Sequence, residues 1–131
     1  MNIKDVKVGQ SVYIELTGNA CRGKSGAELI EEWEVVSVGR KLIKAKRKGW
    51  NDISAITFER REFGFGDHFV EKTDYSVDYI MYANRKDLED ELERRELLMF
   101  VRNYFGGYGE KNISVGALRK IANLIREEQS K

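Results

Sequence analysis

A small antiparallel β-barrel followed by a helical hairpin, an α+β architecture, is the fold class that this 131-residue chain predicts. Three observations carry it. Short runs with period-two alternation recur at roughly eight- to twelve-residue spacing, separated by turn residues, which is the pattern of a small barrel or curled sheet. The period changes to steps of three and four from Asn84 onward, which is helical. The length suits one compact domain, 1–131, with the barrel over 1–83 and the helical hairpin over 84–131 packed on it.

The strands follow in order. After a Lys7-Val8-Gly9-Gln10 turn, Val12, Ile14 and Leu16 alternate with Tyr13 and Glu15 and predict the first strand. Thr17 to Glu28 holds Gly18, Gly23 and Gly26 among polar residues and predicts a long loop. Glu32 to Lys48 predicts a β-hairpin: Trp33, Val35, Val36 and Val38 suit a pleated surface, Gly39 supplies the turn, and Leu42, Ile43 and Ala45 begin the return arm between lysines. Lys48 to Asp52 turns again, Ile53 to Glu59 alternates weakly, and Phe63 to Asp67 is a glycine-rich turn. Phe69 to Glu71 and Val77 to Tyr82 complete the barrel.

Asn84 is a good N-cap, and Asp87 lies in the first turn, where the helix dipole favours a carboxylate. The pattern predicts a helix from Arg85 to about Phe105, with Asp90 to Arg94 and Glu91 to Arg95 at ion-pair spacing. Its second half, Leu97 to Phe105, carries a wide apolar face expected to pack against the barrel and the second helix, and the glycines from Gly106 to Gly109 stop it. Ser114 caps a second helix, with Ile113 and Leu118 as a hydrophobic staple and Leu118, Ile121, Ala122 and Ile125 as its buried stripe.

Composition narrows the function classes. A hydrophobic fraction of 41% and a charged fraction of 34% suit a globular protein with a heavily charged surface. The formal charge of +1 excludes a strongly basic protein, so binding to a polyanion has to come from a local patch. One cysteine, Cys21, excludes an internal disulfide, and with a single histidine, His68, no zinc-ligand set of the usual kind and no cofactor is expected. The charged amino terminus and the lack of a long apolar run argue against secretion or membrane insertion and for the cytoplasm.

The return arm of the hairpin is the most informative stretch. Arg40, Lys41, Lys44, Lys46, Arg47 and Lys48 lie close together with no acid among them, and Lys44, Lys46 and Lys48 recur at every second residue, which lines one face of a strand. Trp50 follows, and Arg22 and Lys24 of the long loop extend the surface. Ammonium groups beside an exposed indole suit a phosphate backbone with a base stacked on the ring. The other reading is that these lysines guard a sheet edge while Trp50 covers one end of the core.

No catalytic constellation stands out, so an enzyme is not expected. Asp67 and His68, with Glu71, Asp74 and Asp78 nearby, do not supply a nameable nucleophile, base and orienting group, and Cys21 lacks any local signature of a reactive thiol. The clusters Gly64 to Gly66 and Gly106 to Gly109 match neither a P-loop nor a dinucleotide turn.

Val6 to Tyr13, then Val35 to Lys41, then Tyr79 to Tyr82 leading into Asp87 to Glu96, resemble the small β-barrel proteins of Firmicutes and their phages. The resemblance implies an SH3-like barrel with a helical carboxyl end, a phage or prophage setting in a bacterial host cell, and no known enzyme activity. Two expectations follow. The first is a non-enzymatic module whose basic strand contacts nucleic acid or a nucleoprotein complex. The second is a protein-docking inhibitor of a host defence system, using the acidic helix through Asp87, Asp90, Glu91 and Arg94.

Overall fold

Six antiparallel strands close into a barrel in chain order: β1 (Ser11–Leu16), β2 (Ile30–Val38), β3 (Leu42–Arg47), β4 (Ile56–Glu62), β5 (Asp67–Glu71) and β6 (Tyr79–Tyr82), with β6 pairing back onto β1. This computed structural model describes residues 5–62, 67–107 and 112–131, without the side chains of Glu62 and Asp67. The expected turn at Phe63 to Gly66 and the last part of the Gly106 to Gly109 stop lie outside the described residues.

Alternation builds the core. Val12, Ile14 and Leu16 of β1, Trp33 and Val35 of β2, Ile43 and Ala45 of β3, Phe58 of β4, Phe69 of β5 and Met81 of β6 are all buried. Trp33 meets Phe58 edge-on at 6.1 Å between centroids and Tyr79 at 4.9 Å, and each such aromatic contact adds about 0.5–1.5 kcal/mol beyond burial.

A bulge explains the irregular apolar pattern of β2. Val35 pairs with Ala45 but Ser37 pairs with Lys44, so Val36 is the extra residue. The shift changes which parity faces inward, and both Val35 and Val38 reach the core.

The loop after β1 is more structured than its composition suggests, containing 3-10 turns at Gly18–Cys21 and Gly26–Leu29. Its start is fastened to the segment before β6: Thr17 N donates to Asp78 O at 2.8 Å, Thr17 Oγ1 to Val77 O at 2.8 Å, and Asn19 N to Asp78 Oδ1 at 2.9 Å. Those bonds occupy the two residues expected to open the last strand, which therefore begins at Tyr79. β4 likewise starts three residues later than the alternation implied. Asn51 Oδ1 accepts from Ile53 N at 3.1 Å, winding Asp52–Ser54 into a 3-10 turn and leaving Ile53 90% exposed.

The chain divides into two compact units, Met1–Glu91 and Leu92–Lys131. Helix α1 (Arg85–Phe105) begins in the first and ends in the second. Asn84 caps it as expected, with Oδ1 accepting from Asp87 N at 2.9 Å and Nδ2 donating to Asp87 Oδ2 at 2.9 Å. Helix α2 (Val115–Gln129) is capped by Ser114 Oγ, which accepts from Ala117 N at 3.1 Å.

Leu97, Met99 and Phe100 are 57%, 64% and 69% exposed, and Leu118 of the proposed staple is 42% exposed. Five successive apolar residues, Leu97 to Val101, wrap around the whole circumference of a helix, so no single neighbouring surface could cover them together. Among the described residues no helix is long and apolar enough to cross a membrane.

Candidate nucleic-acid interface

Because Ile43 and Ala45 point into the barrel, Lys44 and Lys46 point out of it, as the alternation required. The cations do not form a uniform row. Lys46 stands opposite Glu34 and donates to Asp52 Oδ1 at 2.7 Å, a bond that raises the lysine pKa above its ordinary value. Lys48, beyond the strand end, lies 3.2 Å from Glu32, and this contact holds the Glu32 carboxyl below its ordinary value. Lys44 faces Ser37 and Thr57 across its two ladders and has no ionic partner among the described residues. Of the expected triad, Lys44 has no ionic partner among the described residues, while Lys46 and Lys48 are paired with Asp52 and Glu32.

Trp50 is 53% exposed, yet it does not offer an open stacking platform on both faces. The Arg47 guanidinium lies over it at 4.8 Å, and also over Trp33 at 5.3 Å and Tyr79 at 5.9 Å. Glu31 Oε1 fixes this stack, accepting from Arg47 Nε at 3.0 Å and from Trp33 Nε1 at 3.0 Å. Partial burial pushes the Glu31 carboxyl up, but those hydrogen bonds and the charges of Arg47 and Lys24 outweigh it and leave the pKa below the ordinary value. Lys24 is drawn to the same carboxylate at 4.0 Å, while Arg22 stays exposed in the loop.

A second group of cations collects at the other end of the hairpin. A hollow of ≈ 440 Å³ is lined by Arg40, Lys41, Arg60 and Lys72, together with Leu42, Phe69 and Glu59. Glu59 is engaged by Arg61, whose Nη2 and Nε donate to Oε1 at 2.6 and 3.0 Å. Arg40, Lys41 and Lys72 have no ionic partner among the described residues. Arg40 and Lys41 belong to the expected site; Arg60 and Lys72 escaped it. In sequence Arg60 sits among Glu59, Arg61 and Glu62 and reads as a solvated charge, and only the pairings Leu42 with Glu59 and Arg60 with Phe69 bring it to the hairpin tip.

The acidic helix is committed locally. Asp87 is bound up in the Asn84 cap, Asp90 pairs with Lys86 at 3.2 Å, and Glu91 and Arg94 are half-buried and engaged by other groups. His68 packs against the Tyr82 ring at 5.4 Å, and Cys21 Sγ donates to Gly18 O at 3.1 Å. Among the described residues no group of three or more His, Cys, Asp or Glu side chains is placed to hold a metal ion.

A closed six-stranded barrel with two following helices places the chain among small β-barrel proteins. The model of one family, described as the phage ProQ C-terminal-like domain, matches residues 1–129, and the chain belongs to that family. Searches of curated proteins and of solved structures returned no match.

Proposed function

We propose that this protein is a non-enzymatic, phage-associated module that binds nucleic acid through the hairpin tip and the adjoining groove. The observation that carries the reading is the gathering of Arg40, Lys41, Arg60 and Lys72 around a hollow whose one carboxylate among the described residues, Glu59, is already held by Arg61. Arg40, Lys41 and Lys72 have no ionic partner among the described residues, and side-chain cations that neutralise phosphates release the counterions condensed on the nucleic acid, which supplies affinity through entropy. Lys44, on the outer face of the same arm, extends the contact. Lys46, Lys48, Lys24 and Trp50 contribute less, since each already has an internal partner. Membership of the phage ProQ C-terminal-like family supports the phage setting and accords with a nucleic-acid-binding role.

The alternative of a protein-docking inhibitor of host defence gains little from the acidic turn, because Asp87 and Asp90 serve the cap and an ion pair. Fluorescence anisotropy with labelled single-stranded and duplex oligonucleotides at low salt tests the leading reading. Binding that weakens about tenfold or more in the Lys41→Ala/Lys72→Ala double variant is the expected result. Absence of binding by the folded wild-type chain would end it.

A further inference from the structure

We infer that the groove at the hairpin tip receives a single unstacked nucleotide, so that the protein selects single-stranded over duplex nucleic acid. This rests on the nucleic-acid reading above and sharpens it.

Volume is the first argument. At ≈ 440 Å³ the hollow falls within the roughly 300–1,000 Å³ of small-molecule pockets, and a base with its sugar and phosphate fits that scale. A patch that only tracks a phosphate backbone needs no concavity. A duplex presents its phosphates on a convex surface and keeps its bases stacked, so it could reach the rim but leave the hollow empty.

Chemistry is the second. The lining is not a plain basic patch, because the half-buried Leu42 contributes apolar surface between the charged groups, with Phe69, only 1% exposed, adding no more than a trace. A base has an apolar face and a nucleotide carries one phosphate on each side, so apolar surface ringed by cations matches both parts of one ligand. Two of the four cations, Arg40 and Arg60, are arginines, whose planar guanidinium can either grip a phosphate through two parallel hydrogen bonds or lie flat against a base. An acidic peptide would use the cations but would leave most of the hollow unfilled by an Asp or Glu side chain.

Charge distribution is the third. Glu59 is the only carboxylate lining the hollow among the described residues, and it stands beside Leu42 in the β3–β4 ladder. Its charge is shared with Arg61, so the phosphate is positioned chiefly by attraction to Arg40, Lys41 and Lys72, which leaves the base beside Leu42 and Glu59.

Competition measurements with the full chain test this. A labelled single-stranded oligonucleotide is bound first and displaced by four competitors: the same strand unlabelled, a strand of equal length with abasic sites throughout, a duplex of equal length, and poly-glutamate. If a base enters the groove, the abasic strand competes about tenfold or more weakly than the intact strand, as expected when stacking of about 1–3 kcal/mol is lost. The duplex is also expected to compete more weakly than the single strand. The exposed-residue variant Arg60→Ala should narrow the gap between intact and abasic strands, while Lys44→Ala, outside the hollow, should weaken both equally. Equal competition by intact and abasic strands, or by duplex and single strand, overturns the inference while leaving nucleic-acid binding in place. Competition by poly-glutamate matching the intact strand overturns it in favour of an acidic protein ligand. No binding of any oligonucleotide would instead remove the reading on which the inference rests.

Discussion

The guanidinium carbon of Arg47 lies 4.8 Å from the centre of the Trp50 ring, so the indole that best suits a stacking platform already has a cation over it. Glu31 anchors that cation and Trp33 backs it, which makes the cluster part of the stability of the barrel end. Arg47→Ala is expected to lower unfolding free energy by about 1–3 kcal/mol, through loss of a charge-assisted hydrogen bond and the ring contacts. Chemical denaturation followed by tryptophan fluorescence checks it. Arg47→Lys should recover only part of the loss, because an ammonium cannot lie flat between rings.

Acid should weaken the same cluster. The Glu31 pKa is depressed in the folded state, so its contribution is fully present above the ordinary value of 4.5 and is lost as pH falls through the lower folded value. Denaturation midpoints measured between about pH 6 and pH 2 should therefore drop less steeply in Glu31→Gln than in the wild type, with the two curves converging at the acid end. Parallel curves would show that Glu31 is not the group that titrates.

Gly18 should tolerate no side chain. Its φ is 50°, and a Cβ there would lie 2.5 Å from Asp78 Oδ1 and 2.6 Å from Val77 O. Gly18→Ala is expected to cost about 2 kcal/mol or more, because backbone strain and a collision with main chain act together. Gly23→Ala, at a φ of 71° but with open space around it, should cost about 1 kcal/mol. Thermal melts of the two variants separate the effects.

The two halves of the basic arm should behave differently in binding. Lys46→Ala and Lys48→Ala, whose ammonium groups are held by Asp52 and Glu32, are expected to weaken oligonucleotide affinity by about twofold or less at moderate salt, where screening limits their residual field. Lys41→Ala and Lys72→Ala should each cost several-fold more in the same anisotropy titration.

The barrel was legible because Val12, Ile14, Ile43 and Ala45 obey a strict inside-outside alternation, and the caps at Asn84 and Ser114 because a cap is a local interaction. What could not be read depends on partners distant in sequence. The ion pairing of Lys46 and Lys48 was set by Asp52 and Glu32 through strand register and turn geometry. The groove needed β4 and β5 laid beside the hairpin tip before Arg60 and Lys72 could be associated with Arg40. The bulge at Val36 was invisible because an extra residue leaves no signature in composition.

The salt dependence of oligonucleotide binding tests the central claim most directly. For a single strand neutralised by Arg40, Lys41 and Lys72, log K against log salt should fall with a slope of about −2, and each of Lys41→Ala and Lys72→Ala should make that slope shallower by about 0.7. A slope and affinity unchanged by both substitutions would contradict the placement of the interface at the hairpin tip.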